Sequence, residues 1–316
     1  MRYKRYTFLI GLILLALILY KIDLENLIAI LKSVNIIFIL FAVSINIPTT
    51  IIMVLRWKRI IYASELKIGF KITLFSYLKG ALWGAITPGK IGELYRAKYL
   101  KEETKTSIGI ALSTVIIERI FDVFSLLILA FISILILPHL YTLTSFPILT
   151  LITAIVAFCL LLFLLMNEKI MRFMLKHIFN IVIPKKHKEK IEFHFDEFYK
   201  GLKSIKLNTY AICVLYTLII WFLNSFMLFL LSSSLELNVP FWFMVITLPI
   251  IILVNLIPIT ISGLGTSQAA FIFLFALMDV SPESAVALSF LFMFFGIWFY
   301  VFPGAILYVY HLIFKE

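Results

Sequence analysis

Six apolar runs, near residues 6–21, 35–55, 107–137, 147–166, 209–232 and 284–313, leave this chain few ways to fold. Read as helices rising about 1.5 Å per residue, they match a hydrocarbon core about 30 Å thick. Inside hydrocarbon each backbone N–H and C=O must be satisfied by the chain itself, which makes such runs helical. Composition agrees, since 63% of the residues are hydrophobic and 14% charged, whereas soluble domains carry about 25% charged residues. The expected fold class is an all-α polytopic membrane protein.

The net charge of +11 invites a nucleic-acid reading. Lys and Arg, however, gather in the cytoplasmic loops of membrane proteins for topological reasons. No soluble domain presents them here, so nucleic acid is not expected as a partner. Cys159 and Cys213 lie in apolar runs without a neighbouring thiol or His pattern and read as small hydrophobes. The N-terminus, MRYKRYTFLIGLILLALILYK, has the basic start and short apolar core of a signal peptide. No small-x-small cleavage site follows Tyr20, so it is expected to stay as the first span. Next comes IDLENLIAILKSV, whose helical apolar periodicity fits a short helix at the membrane interface.

Two further apolar regions, 70–103 and 240–279, are broken in the middle. The first break is Thr87-Pro88-Gly89-Lys90-Ile91-Gly92, and the second runs from Asn255 through Pro258 to Gly263 and Gly265. Proline removes a backbone donor and glycine tolerates positive φ, so both sequences end a helix and turn the chain. Charge assigns the sides. Arg2, Lys4 and Arg5 flank the first run, Arg56, Lys58, Arg59, Lys67 and Lys71 follow the second, and a basic amphipathic segment occupies 167–208. Residues 137–167 have no Lys or Arg, and after Lys206 only Lys315 remains. The positive-inside rule then places both termini, 56–71 and 167–208 in the cytoplasm of a multi-pass protein of the cell membrane.

On this assignment region 70–103 dips in from the cytoplasm and region 240–279 from outside. The order span, re-entrant hairpin, span occurs twice with opposite orientation, which describes a single domain over 1–316 with about six full spans and an inverted repeat. Ile91 to Ala97 aligns weakly with Leu264 to Ala270. Two independently kinked helices would leave a similar local pattern.

Ionisable residues at membrane depth are costly and mark function or pair with one another. Glu93 and Arg96 follow the first break, and Glu118, Arg119 and Asp122 lie about halfway along the third run. The spacing lets Glu118, Arg119 and Asp122 share a helix face. They read either as a structural ion pair between helices or as a headgroup site, and Glu93 is an alternative partner for Arg119. A helix starting after Gly92 would offer its N-terminus to a phosphate or carboxylate, with Lys90 and Arg96 adding charge. Lys98 and Lys101 read as inner-surface anchors. Gly84 to Lys90 spells G-x-x-x-x-G-K, but Ile91 replaces the Ser or Thr that would hold magnesium. No nucleotide, metal or other cofactor is expected.

In the second break Thr260, Ser262, Thr266, Ser267 and Gln268 supply uncharged polar groups that fit either backbone capping or a polar path. Asn46 with Pro48 reads as a kink, and Trp57 beside Arg56 as an interface anchor. His177, His187 and His194 form no metal motif.

LKGALWGAITPGKIGELYRAKYL followed by ERIFD, and IPITISGLGTSQAAFIFLFALMDVSPESAVALSFLF, resemble the two signatures of the lysylphosphatidylglycerol synthase transmembrane region, also called flippase-like proteins. The family pattern P-G-x-x-G-E then R is matched by Pro88, Gly89, Gly92, Glu93 and Arg96, and E-R-x-x-D by Glu118, Arg119 and Asp122. In G-G-x-G-x-x-E, Ser262 stands for the first Gly and Gln268 for the acid. The resemblance implies transport rather than catalysis: movement between leaflets of an anionic or aminoacylated phospholipid, or a polyprenyl-linked lipid. It also implies an alternative role as a non-catalytic partner of a glycosyltransferase or aminoacyl-lipid synthase. A membrane-embedded transferase using Glu93 or Asp122 as base is a third reading. Neither soluble domain of the bifunctional relatives is present in this sequence, so no synthase activity is expected.

Overall fold

A computed structural model describes residues 3–85, 87–140, 173, 206–256 and 263–314. Every regular element among the described residues is helical. The run at 147–166 lies outside them, as do Cys159, His177, His187, His194, nearly all of the segment 167–208, and the part of the second break that holds Pro258, Thr260 and Ser262. Among the described residues four stretches are long and apolar enough to cross a membrane: Ile36–Ala63, Ile108–Leu137, Leu207–Ser234 and Pro282–Val309.

Helix α1 (Tyr3–Lys21) leads into α2 (Leu24–Lys32). The short helix has clear local causes. The Asp23 carboxylate accepts from Glu25 N at 3.0 Å and Asn26 N at 3.1 Å, and Lys32 lies in the last turn, complementing the dipole. Its apolar Leu27 is buried against Val286 and Ala287. Helix α3 (Ile36–Ala63) follows, capped by Asn35, whose side chain accepts from Ile37 N at 3.0 Å. It runs past the expected end at 55, because Arg56 and Trp57 are buried and continue the helix.

Helix α4 (Phe70–Ala85) stops before Thr87, and a 3-10 helix, Pro88–Tyr95, packs back along it before α5 (Arg96–Thr104). The close return depends on Gly92, since a Cβ there would collide with the main-chain carbonyl of Trp83. The long α6 (Ile108–Leu140) and α7 (Leu207–Ser234) come next. Helices α8 (Phe241–Leu256) and α9 (Thr266–Phe275) flank the second break and pack on each other. That turn does need left-handed backbone: Gly263 has φ +77° and Gly265 φ +83°. The last crossing is α10 (Pro282–Met293), a π turn over Phe294–Trp298, and α11 (Phe299–Phe314).

The two halves repeat one plan. Helices α3 and α7 both have 28 residues, and α4 and α8 both have 16. Among the described residues, four other than glycine have left-handed φ, in matching pairs: Glu65 and Glu236 after the 28-residue helices, Lys105 and Asp279 after the returning arms. Packing partners also exchange. Helix α4 lies on α11 as α8 lies on α6, α5 on α6 as α9 on α10, and α3 on α4 as α7 on α8. The most extensive contact is between α3 and α7 themselves. They run antiparallel, with Asn35 N donating to Ser234 O at 2.9 Å at one end and Ile60 beside Cys213 at the other. The Cys213 thiol is free and buried there, as a small hydrophobe.

Two hydrophobic cores follow from this plan. One joins the start of α3 and the end of α6 to α7, α8, α9 and α10, with Phe243, Phe271 and Phe275 fully buried. The other joins the end of α3 and the start of α6 to the first broken region, around Trp57, Ala97 and Val115. The lock between α11 and α4 is tight enough to test. A Cβ on Gly304 would meet the carbonyl of Leu78 and sit 3.0 Å from Leu82 Cβ. Gly304→Leu is therefore expected to pry α11 from α4, costing about 1–3 kcal/mol of overpacking or more. A melting curve of the purified protein in detergent, unchanged from wild type, would refute this.

Candidate functional site

Six ionisable residues of the first half meet in one chain of alternating charge. Glu118 on α6 is fully buried; its Oε1 lies 3.1 Å from Arg56 Nη2, and its Oε2 pairs with Arg96 Nη2. Arg56 Nη2 also reaches Asp122 Oδ1 at 2.6 Å. Asp122 Oδ2 lies 2.8 Å from Arg119 Nη2, and Arg119 Nη1 lies 2.9 Å from Glu93 Oε2. The order is Arg96, Glu118, Arg56, Asp122, Arg119, Glu93. Both ends come from the same returning arm, Glu93 near the end of its 3-10 helix and Arg96 at the start of α5.

Burial is graded along this chain. The Arg96, Glu118 and Arg56 side chains are 0–2% exposed, whereas Arg119 is 27% and Asp122 34% exposed. The dry end has supports for its charges. Arg56 Nη1 donates to Thr217 Oγ1 on α7 at 2.9 Å. The Arg96 guanidinium lies 4.7 Å from the Trp57 ring and 5.0 Å from the Tyr77 ring, a contact that favours a desolvated cation. Trp57 is held in turn by its indole N–H, which donates to Thr114 Oγ1 at 3.2 Å. Removing charges from water costs several kcal/mol per ion, and strict alternation of sign is what makes a set this large tolerable. Buried guanidinium Nε atoms without a hydrogen-bond partner among the described residues occur on Arg56, Arg96 and Arg119 alike. The accessible end sets the Arg119 guanidinium and the Asp122 carboxylate side by side.

The structure thus brings together all five ionisable residues singled out from the sequence: Glu93, Arg96, Glu118, Arg119 and Asp122. Two expectations change. Trp57 and Arg56 are not an interface anchor; both are buried in the centre of the site. The error came from reading Arg56, Lys58 and Arg59 as one cytoplasmic flank. Helical rotation separates them, with Arg59 exposed and Arg56 on the buried face with Thr49 and Ile60. That periodicity was the available signal. Secondly, no free helix N-terminus opens after Gly92. The 3-10 helix begins at Pro88, and Gly92 N donates to Thr87 Oγ1 at 2.7 Å. Arg96 turns into the protein toward Glu118.

At the second break the uncharged residues close the turn. Gln268 Oε1 accepts from Gly265 N at 2.7 Å, Thr266 Oγ1 donates to Gly263 O at 3.2 Å, and Asn255 Nδ2 donates to Ser267 Oγ at 3.3 Å. The bonds of Gln268 and Thr266 satisfy backbone groups of the turn, and that of Asn255 joins two side chains.

Comparison with known proteins identifies the family. The model of the lysylphosphatidylglycerol synthase TM region matches residues 6–304. A UPF0104 membrane protein of Methanocaldococcus jannaschii is 32% identical over 231 residues, 71% of this chain and 92% of the relative. A second from the same organism is 27% identical, covering 89% of this chain and 86% of its own length. One from Pyrococcus horikoshii is 24% identical across 96% of both chains. With a match over nearly its whole length, the chain belongs to the lysylphosphatidylglycerol synthase transmembrane region family of membrane proteins.

Proposed function

We propose that this protein is a flippase-like lipid translocase of the cell membrane, with both termini in the cytoplasm. The observation that carries the reading is the graded charge chain: a dry end in which each charge has an ion-pair partner, and a more accessible Arg119–Asp122 end within the apolar run of α6. The headgroup phosphate meets Arg119, whose fork suits a phosphate oxygen pair. A cationic or hydroxyl-bearing part of the headgroup meets Asp122 and Glu93, while the acyl chains stay in lipid. Glu118, Arg56 and Arg96 hold the set rigid from behind. The broken regions act as re-entrant hairpins from opposite faces, an inverted-repeat arrangement suited to alternating access. Their packing supports this, since the start of the last span lies on the second region and its end on the first. The driving energy would come from a gradient or from the lipid's own concentration difference.

The test is mass spectrometry of lipids that co-purify with wild type and with Arg119→Ala, alongside translocation of fluorescent phospholipids in liposomes. One lipid class should be enriched with wild type and fall about tenfold or more in the variant. That is the loss expected for a charge-assisted contact of about 1.5–3 kcal/mol. Identical bulk lipids on both, with no lipid moved, would instead favour the role of a membrane partner to a lipid-linked glycosyltransferase or synthase.

A further inference from the structure

The last span is one crossing in sequence but two pieces in structure. Helix α10 packs against α2 and α9, whereas α11 packs against α4, where Gly304 meets the Leu78 main chain. Each piece is thus fastened to a different broken region, and the π turn Phe294–Trp298 joins them. A π turn widens the hydrogen-bond ladder by one residue, bends helices and recurs at functional sites. Pro303 lies inside α11 and has no N–H to return to the Phe299 carbonyl, which weakens the ladder just beyond the turn.

One side chain from another helix spans this weak point. Asn46 on α3 is buried; its Nδ2 donates to the Phe295 carbonyl at 3.2 Å, and its Oδ1 accepts from the Tyr300 hydroxyl at 3.3 Å. A single amide therefore holds a residue within the π turn and another just after it. The internal repeat adds meaning to the position. Laying Ile36–Ala63 on Leu207–Ser234 places Asn46 at Thr217, and laying Ile108–Leu140 on Pro282–Phe314 places the π turn at Ile120 to Phe124. Thr217 holds Arg56, and Arg56 holds Asp122, which lies in that stretch of α6. The same place carries a charged station in one half and a backbone joint in the other.

We infer that Phe294–Trp298 is a hinge and Asn46 its latch. Helix α10, with α2 and α9, and helix α11, with α4, swing relative to each other about the π turn, and the Asn46 amide holds the closed setting. That the swing serves alternating access rests on the translocase reading; the swing itself does not.

The test uses the full chain in lipid nanodiscs, with Cys159 and Cys213 replaced by Ala. Spin labels go on cysteines introduced at exposed Leu215 of α7 and exposed Ile306 of α11, with Leu215 and exposed Phe273 of α9 as the reference pair. Pulsed electron paramagnetic resonance should give one dominant Leu215–Ile306 distance in the latched protein. Asn46→Leu should add a second population several ångström away, while the Leu215–Phe273 distance stays put. An unchanged Leu215–Ile306 distribution, or an equal shift in both pairs, overturns the hinge. If Asn46→Leu does not fold, Tyr300→Phe removes only the hydroxyl and should give a smaller second population; no change there overturns it equally. An unlatched protein that swings yet moves no lipid would count against the translocase reading and leave the hinge standing.

Discussion

Glu118→Ala should leave no stable protein. Its carboxylate is the only anionic partner of Arg96 among the described residues and one of two for Arg56. Removing one member of a buried pair costs about 3–5 kcal/mol, because the charge left behind stays desolvated. Here the deletion strips Arg96 of its carboxylate and leaves Arg56 with Asp122 alone, and a folded domain has only about 5–15 kcal/mol in hand. Size-exclusion profiles of a fluorescent fusion should show aggregate where wild type gives a single peak. Pairing the change with Arg96→Met should restore part of the peak, since apolar replacement of a whole buried pair is often tolerated. A single variant that melts with wild type would mean that the dry end of the chain is dispensable.

Gly92→Ala should be nearly as damaging, for a reason of space rather than charge. The added methyl would strike the Trp83 carbonyl and lie 2.7 Å from Thr87 Oγ1, the atom that accepts from Gly92 N. Neither neighbour can yield cheaply: one is main chain, and the other donates back to Trp83 O at 2.8 Å. Overpacking of about 1–3 kcal/mol adds to a lost buried hydrogen bond of about 1–3 kcal/mol. The returning arm would lift from α4 and carry Glu93 away from Arg119. Both the melting temperature and the lipid enrichment should drop in Gly92→Ala. Thr87→Val, which removes the acceptor but adds no clash at Gly92, should lie between the variant and wild type. Equal melting of Gly92→Ala and wild type would show that the arm tolerates a wider gap.

Much of this architecture is written locally. The breaks at Thr87 to Gly92 and after Asn255 are legible because proline and glycine act on their own backbone, whatever surrounds them. Helix α2 is legible through its apolar stripe, and the structure adds the Asp23 cap. Glu93, Arg96, Glu118, Arg119 and Asp122 stand out because ionised groups in apolar runs are too costly to be incidental. Part of their pairing is legible as well: Arg119 meets Asp122, three residues on, and Glu93, its alternative partner in the sequence reading. The contact of Glu118 with Arg96 and Arg56 is not, because it depends on how α3, α5 and α6 are rotated against each other. Arg56 shows the limit. Beside Lys58 and Arg59 it looks like a membrane flank, and only packing against Glu118 and Thr217 reveals it as the centre of the site. The π turn is hidden likewise, since nothing within FFGIW marks it apart from a regular helix until Asn46 is seen to reach it.

The alternating chain of charges also has an electrical consequence. Arg56, Arg96 and Arg119 against Glu93, Glu118 and Asp122 sum to zero in their ionised forms. A membrane potential does about 2.3 kcal/mol of work per elementary charge for each 100 mV. On these six residues that work cancels as long as they travel together through the field. Under the proposed translocase reading, the site itself then contributes no net gating charge, and a current–voltage curve would report chiefly on the charge of what it carries.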